Sequence, residues 1–155
     1  MTKKKPNVLI TGASSGIGEA LARHYAITGA GTLFISGRNR ERLETVKTAC
    51  ERYNVKVYAE VMDVTDRQNT AAWIKKCEEI APLNIVYANA GVATLEETPE
   101  NIYNTFNTNV IGVLNTLIPA VEIFKNRRDK HKTLVITSSI AGYHGLPSCP
   151  SYSCL

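Results

Sequence analysis

The segment from residue 7 to residue 25, NVLITGASSGIGEALARHY, most constrains what this chain can fold into. It opens with an apolar run that contains β-branched residues, which predicts a buried strand over 7–11. A glycine-rich turn follows, and Ile17, Leu21 and His24 then fall at helical spacing, which predicts a helix with that face inward. A strand and a helix joined by such a turn are typical of α/β proteins.

The rest of the chain repeats this alternation of strand and helix. Its 155 residues suit one domain. Near-continuous apolar runs are typical of parallel strands that helices cover on both faces. We therefore predict an α/β fold with a doubly wound parallel sheet and helices on both faces. The predicted strands cover residues 7–11, 32–36, 55–61, 84–90 and 133–139.

Two helix starts carry recognisable signals. Thr65 followed by Gln68 resembles a capping box at the start of the third helix. Thr98 followed by Pro99 predicts the start of a long fourth helix, because proline suits the first helical turn. Pro119, within that long helix, is expected to kink it.

The turn TGASSGIG, residues 11–18, has the properties of a phosphate-binding site. Glycine lets a backbone turn tightly and approach a ligand closely, and the helix that follows directs free N–H groups at that point. The lysine of a P-loop is absent. A tight turn without a ligand is the alternative, but its place between the first strand and the first helix favours a Rossmann-like dinucleotide-binding domain. The residues expected to bind the cofactor here are Gly12, Ser14, Ser15, Gly16, Ile17 and Gly18.

The end of the second strand indicates which dinucleotide is bound. NAD-binding domains usually carry an acidic residue there, which holds the ribose 2′-hydroxyl. This strand ends ISGRN, with Arg38 and no carboxylate. Since a guanidinium pairs with a phosphate, the sequence favours NADP(H) over NAD(H). The alternative is that Arg38 is an ordinary surface arginine.

Charge and cysteine content argue against several other classes of protein. The net charge of +4 comes partly from the lysine run 3–5, which we interpret as a solvated leader and not as a nucleic-acid or membrane site. A second charged run, 125–132, is expected to be a solvated helix end and loop. No apolar run is long enough to cross a membrane, and no signal peptide is recognisable. The four cysteines form no metal-binding pattern, so we expect no metal site and free thiols in a reducing cytoplasm.

Five short motifs occur in the order and spacing of the short-chain dehydrogenase/reductase family. They are TGASSGIG, NAG (89–91), NVIG (109–112), TSSIAG (137–142) and SYS (151–153). On these motifs the chain resembles that family from Asn7 to its last residue. The resemblance implies an oxidoreductase that transfers hydride between a nicotinamide cofactor and a small carbonyl or alcohol substrate. It also implies a homo-oligomer when the protein is full length.

The resemblance further implies roles for individual residues. Tyr152 matches the general acid or base that exchanges a proton with the substrate oxygen, and Ser139 matches the serine that hydrogen-bonds that oxygen. Asn109 matches an asparagine of a proton relay, and Asp63 is similar to a residue that contacts the adenine. The stretch expected to line the cofactor at the end of the fourth strand is Asn89, Ala90 and Gly91.

A tyrosine needs an electrostatic partner to act as a base at neutral pH. A free phenol has a pKa near ~10, and a nearby ammonium group favours the phenolate. In the family a lysine stands four positions after the tyrosine, whereas this sequence ends SYSCL at Leu155. We therefore expect residues 1–155 to form a domain that is incomplete at its C-terminus, lacks the last strands and is inactive as a fragment. The alternative is a catalytically dead protein that binds nucleotide or a partner.

In the expected sheet, the fifth strand would form an exposed edge and the long helix would lack part of its cover. Open edges and uncovered apolar surface promote association. We therefore expect the 155-residue chain to be oligomeric or poorly soluble.

The residues that follow the fifth strand and are candidates for substrate contact are Tyr143, His144 and Leu146.

Overall fold

The computed structural model describes residues 5–129 and 131–154. Some residues used in the predictions lie outside the described ranges. They are Lys3 and Lys4 of the basic leader, Lys130 of the second charged run and the last residue, Leu155. The predictions that concern them stay predictions. Within the described ranges, none of the helices has the length and apolar character needed to cross a membrane.

The described chain alternates strands and helices, as the sequence predicted. The strands are β1 Asn7–Ile10, β2 Thr32–Gly37, β3 Lys56–Val61, β4 Ile85–Ala88 and β5 Thr133–Ile136. The α-helices are α1 Gly16–Thr28, α2 Arg40–Glu51, α3 Arg67–Ile80, α4 Pro99–Phe106, α5 Gly112–Lys125 and α6 Pro150–Ser153. A π-helix, Asn107–Ile111, joins α4 to α5, and a short 3-10 helix, Ile140–Gly142, follows β5.

All five strands are parallel and form one sheet in the order β3-β2-β1-β4-β5. Residues of β1 alternate between its two faces. Val8 and Ile10 pack with residues of α1 and α2, whereas Leu9 packs with residues of α3 and α5. Each face therefore has its own hydrophobic core, and the predicted doubly wound sheet is confirmed. In such a sheet, a ligand binds beyond the carboxyl ends of the strands.

The predicted inner face of α1 is right only in part, since Leu21 packs against the core whereas Ile17 and His24 do not. Ile17 is 60% exposed and His24 is exposed as well. The buried residues of this helix are instead Gly18, Ala22 and Ala26, at a spacing of four. Small side chains on this face let the helix lie close to the sheet. Periodicity missed these three residues because small side chains carry little hydrophobic signal.

The cap of α3 also differs from the prediction. Asp66, and not Thr65, is the N-cap, and its Oδ1 accepts a hydrogen bond from the Asn69 N–H at 3.0 Å. A carboxylate oxygen, like a hydroxyl oxygen, can accept a hydrogen bond from an unpaired N–H of the first helical turn. The prediction for α4 is confirmed, since Thr98 caps the helix and Pro99 stands in its first turn.

The long fourth helix is interrupted at a place that the sequence did not indicate. The interruption is the π-helix between α4 and α5, whereas Pro119 lies within α5. An inserted residue widens one helical turn in a π-helix, and such turns are frequent at functional sites. This widened turn carries Asn109.

The described part of the charged run 125–132 is not simply solvated. The Arg127 side chain is 19% exposed, and its Nη1 lies 3.1 Å from Glu78 Oε2. The Lys132 Nζ donates to the Phe124 carbonyl oxygen at 2.6 Å and so satisfies an end of α5. These contacts join the ends of α3 and α5 to the loop before β5.

Candidate cofactor and active site

The turn between β1 and α1 needs its first two glycines for different reasons. Gly12 and Gly16 have positive φ angles of 68° and 57°, which other residues rarely adopt. Gly12 is also tightly packed, because a Cβ on it would lie 2.6 Å from the Cα of Ala90. A Cβ on Gly16 would meet nothing within 4 Å. Gly16 therefore provides the backbone angle and borders open space.

Gly18 lies behind this turn and does not line the cleft. A Cβ on Gly18 would lie 2.3 Å from the Gly12 carbonyl oxygen and 2.6 Å from Asn89 Nδ2. The absence of a side chain therefore allows α1 to begin directly against the turn. Gly18 therefore shapes the candidate site without lining it.

The start of α1 suits an anionic group. Ser15 occupies the N-cap position without making a side-chain hydrogen bond to the helix, so the first N–H groups remain available. The Ser36 hydroxyl is buried, lines the same cleft and has no partner among the described residues. Free N–H groups at a helix start and an unpaired buried hydroxyl fit the pyrophosphate and ribose of a dinucleotide.

Arg38 and Asp63 lie together beyond the ends of β2 and β3. Arg38 Nη1 is 3.7 Å from Asp63 Oδ2, and the two side chains are 57% and 40% exposed. Asp63 Oδ1 also accepts the Thr65 N–H at 2.9 Å, which fixes the carboxylate. An exposed ion pair of this length is weak, so the guanidinium can pair with a ligand phosphate. Arg42, which sequence reasoning did not single out, also lines the cleft.

The Asn89 side chain joins three strand ends beside the glycine-rich turn 11–18, the phosphate turn. Its Nδ2 donates to the Thr11 carbonyl oxygen at 3.0 Å, and its Oδ1 accepts from the Thr137 hydroxyl at 2.9 Å. The amide is thus occupied by the chain itself. Ala90 and Gly91, which follow it, line the cleft together with Asn89.

Asn109 lies in the π-helix, and its side chain is hydrogen-bonded to the loop that follows β4. Its Oδ1 accepts from the Val92 N–H and its Nδ2 donates to the Val92 carbonyl oxygen, both at 2.8 Å. This reciprocal pair explains why a poor helix former stands at this position. Because both Oδ1 and Nδ2 of Asn109 are hydrogen-bonded to Val92, a proton relay would have to use other atoms of Asn109.

Ser139 and Tyr152 line the same cleft as the phosphate turn. Ser139 follows β5, and its Oγ accepts from the Ala141 N–H at 3.2 Å, which starts the 3-10 helix. That bond leaves the hydroxyl hydrogen free to be donated to a substrate oxygen. Tyr152 is half-buried in the short helix α6.

The predicted catalytic and cofactor-binding residues other than Gly18 border one cleft of about 820 Å³. The three candidates for substrate contact, Tyr143, His144 and Leu146, are exposed and do not line it. The chain segments that form it come from the ends of all five strands, although they are far apart in sequence. Sequence reasoning missed several wall residues, whose available signal was their position beside a predicted strand end. They include Ser36, Asn39, Arg42, Val92, Ala93 and Ser138.

Comparison with known proteins gives a consistent result. Residues 6–154 match the family model of the short chain dehydrogenases. An uncharacterized oxidoreductase of Myxococcus xanthus is 34% identical over 150 residues, which cover 94% of this chain and 58% of that protein. The structure of an alcohol dehydrogenase from the archaeon Thermococcus sibiricus, complexed with 5-hydroxy-NADP, matches with a TM-score of 0.87 and 28% identity over 97% of this chain and 65% of that chain. A short chain dehydrogenase from Mycobacterium paratuberculosis bound to NAD matches with a TM-score of 0.88 and 26% identity over 98% of this chain and 62% of that chain.

The chain therefore belongs to the short-chain dehydrogenase/reductase family of oxidoreductases, as its motifs predicted. It spans less than two thirds of the length of the Myxococcus relative and of both structures. One of those structures holds an NADP-type cofactor and the other holds NAD. The family binds NAD(P), and membership leaves the choice between the two cofactors to the residues of this chain.

Proposed function

We propose that the full-length protein is an NADP(H)-dependent oxidoreductase that transfers hydride between nicotinamide and the carbonyl or alcohol carbon of a small molecule. The observation that carries this proposal is that Ser139 and Tyr152 border the same cleft as the phosphate turn. A hydride carrier and a proton carrier must be held close together in fixed geometry for this reaction.

Each catalytic residue of this chain has a separate task in the proposal. When bound, the nicotinamide ring supplies the hydride in reduction and accepts it in oxidation. Tyr152 donates its phenolic proton to the substrate oxygen in reduction and takes the alcohol proton in oxidation. Ser139 donates a hydrogen bond to that oxygen and stabilises the charge that develops on it. Asn109 holds the loop at Val92 against the π-helix.

The preference for NADP(H) rests on the residues beyond β2. Arg38 and Arg42 offer two guanidinium groups to the cleft, while the strand itself ends without a carboxylate. Asp63 lies beyond the end of the next strand, β3, with its Oδ2 3.7 Å from Arg38 Nη1 in a weak ion pair that a phosphate could replace. A 2′-phosphate would find two cationic partners there, whereas the bare hydroxyl of NAD(H) would find no acceptor on β2.

Two properties of the whole protein complete the proposal. The four cysteines of the chain are free thiols, which supports a reducing compartment such as the cytoplasm. The exposed apolar residues of α4 and α5 support a homo-oligomer. Small carbonyl and alcohol compounds are the proposed substrates.

The test of the reaction uses the full-length protein, NADPH and a panel of aldehydes and ketones, with NADPH oxidation followed by absorbance. Tyr152→Phe should lower turnover by about a hundredfold or more and leave NADPH binding in place, because the phenyl ring keeps the shape of the side chain. Tyr53→Phe, at a 53% exposed tyrosine after α2, is the matched control. NADPH binding without turnover of any carbonyl would favour the dead nucleotide-binding alternative.

The cofactor preference has its own test. Arg38→Ala should weaken NADPH binding by about tenfold or more, the effect of losing one charge-assisted hydrogen bond, and leave NADH binding nearly unchanged. Arg40→Ala, at an exposed arginine that does not line the cleft, is the control. Equal losses for both cofactors in Arg38→Ala would contradict the assignment.

A further inference from the structure

The short helix that carries Tyr152 has no cap of its own. Cys149 occupies its N-cap position without a side-chain hydrogen bond, and Pro150 has no N–H to pair. The first N–H that needs an acceptor therefore belongs to Ser151, which is only 7% exposed. A buried N–H is almost always paired, so the acceptor must come from another segment.

Glu97 supplies this acceptor from the loop between β4 and α4, 54 residues away in sequence. Its Oε1 accepts the Ser151 N–H at 3.2 Å and the Ser151 hydroxyl at 2.8 Å. Both the backbone and the side chain of Ser151 are thereby fixed by one carboxylate oxygen. Because Ser151 is the residue next to Tyr152, these bonds constrain where the phenol can lie.

The Glu97 contact is isolated in the hydrogen-bond network of this part of the chain. Among the described residues of the segment 138–154, the other hydrogen bonds remain inside the segment, such as that from the Leu146 N–H to Ser153 Oγ at 2.8 Å. Within that described range, Glu97 is thus the one hydrogen-bonded link between the segment and the rest of the domain. Ala141 and Cys149 of the segment are also buried, and α6 lies against α4.

We propose that Glu97 is a positioning residue for the reaction, which acts through Ser151 to set the place and orientation of Tyr152 in the cleft. The loop that carries Glu97 is fixed at both ends, by Asn109 at Val92 and by Ser151 at Glu97. The loop therefore links the π-helix to the helix of the tyrosine. This proposal rests on the acid/base role proposed above for Tyr152.

Kinetics of the full-length protein provide the first test. Glu97→Ala should lower kcat by about tenfold or more, as expected when a reacting group is displaced, with little change in KM or in NADPH affinity. It should also displace the limb of the pH–rate profile that belongs to Tyr152. Glu97→Gln keeps an amide oxygen as acceptor and should recover most of the rate. Glu96→Ala, at an exposed glutamate of the same loop, should behave as the wild type.

A second measurement does not depend on turnover. In full-length protein labelled with ring-13C tyrosine, the Tyr152 signal is assigned as the one that Tyr152→Phe removes. Glu97→Ala should shift or broaden that signal, and Glu97→Gln and Glu96→Ala should not. Ser151→Ala retains the N–H bond and should give an intermediate effect, which covers the case in which Glu97→Ala does not fold.

The two measurements separate this proposal from the proposed reaction. If Tyr152→Phe retains full turnover, the acid/base role fails, and the Tyr152 signal still reports whether Glu97 positions the ring. If the signal is the same in the wild type and in Glu97→Ala, the positioning role is overturned, whatever the activity. If turnover does depend on Tyr152, an unchanged kcat in Glu97→Ala would also overturn the positioning role.

Discussion

Gly18 shows that available space, and not only backbone angle, decides which residue can stand at a position. Its φ does not lie in the left-handed region, so alanine should favour the helix by about 0.5–1 kcal/mol. The added Cβ would, however, lie 2.3 Å from the Gly12 carbonyl oxygen, and overpacking of this kind typically costs about 1–3 kcal/mol. We therefore expect Gly18→Ala to lower the free energy of unfolding in urea. NADPH binding should weaken with it, because the displaced Gly12 belongs to the phosphate turn.

Gly145 provides the control for this substitution. A Cβ on Gly145 would meet nothing within 4 Å, and its φ is not in the left-handed region. Gly145→Ala should therefore change the free energy of unfolding by no more than about 0.5 kcal/mol. Equal urea midpoints for Gly18→Ala and the wild type would show that the turn can relax around the methyl group.

The residues that line the candidate cleft could be predicted from the sequence far better than the contacts they make. Short motifs single out Asn89 and Asn109, yet neither motif indicates that both side chains are engaged by backbone groups of the domain. The partner of Asn109 is Val92, 17 residues away in sequence. Glu97 lies outside every motif, and its partner Ser151 becomes visible only when α6 is folded against the loop. Local patterns cannot encode such long-range pairs.

At the scale of secondary-structure elements, a pair of tyrosines joins α1 to β4. The hydroxyl oxygens of Tyr25 and Tyr87 lie 2.8 Å apart. Burial, and then the hydrogen bond to Tyr87, raises the pKa of Tyr25 from 10.0 to about 12. The folded chain thus retains the phenolic proton over a pH range in which the unfolded chain releases it. This contribution to stability is complete below pH about 10 and is lost as the pH rises toward about 12.

Tyr25→Phe should therefore lessen the loss of stability at high pH. We expect the urea midpoint of the wild type to fall more steeply between pH about 9 and about 11 than that of Tyr25→Phe. The comparison between proteins removes the contributions of other groups that titrate in the same range. Tyr53→Phe, at the exposed tyrosine after α2, should keep the wild-type slope. Parallel curves for the wild type and Tyr25→Phe would contradict the role of the pair.

Strand and helix positions were predictable at this scale because long apolar runs and periodic segments carry strong signals. The parallel strands β2 and β3 lie within a residue of their predicted bounds. The π-helix was not predictable, since its five residues satisfy the same helical periodicity as their neighbours. The inner face of α1 was predicted only in part because its fully buried residues are the small Gly18, Ala22 and Ala26.

At the scale of the whole molecule, the segment from α4 to α5 presents apolar residues on its outer side, unlike an ordinary surface helix. The residues that it buries include several polar ones, namely Thr105, Thr108, Asn115 and Thr116. Several of its large apolar residues are exposed, whereas Phe124 near its end is buried; the exposed ones are Tyr103, Phe106, Ile111, Leu114 and Ile118. They recur at steps of three or four residues, apart from one step of five across the π-helix, so they form one outer stripe. The strand β5, at an edge of the sheet, adds a second open surface.

An outward apolar stripe of this length favours self-association, and we expect the 155-residue chain to elute as an oligomer in chromatography with light scattering. Ile118→Glu places a charge in the stripe, whose burial in an interface would be costly, and should shift the mass toward that of the monomer. Ile27→Glu is the matched control, because Ile27 is 60% exposed on α1 and Ile118 is 54% exposed on α5. If both variants dissociate equally, general surface charge and not the stripe controls association. If neither does and the wild type is an oligomer, the edge of β5 becomes the interface to test.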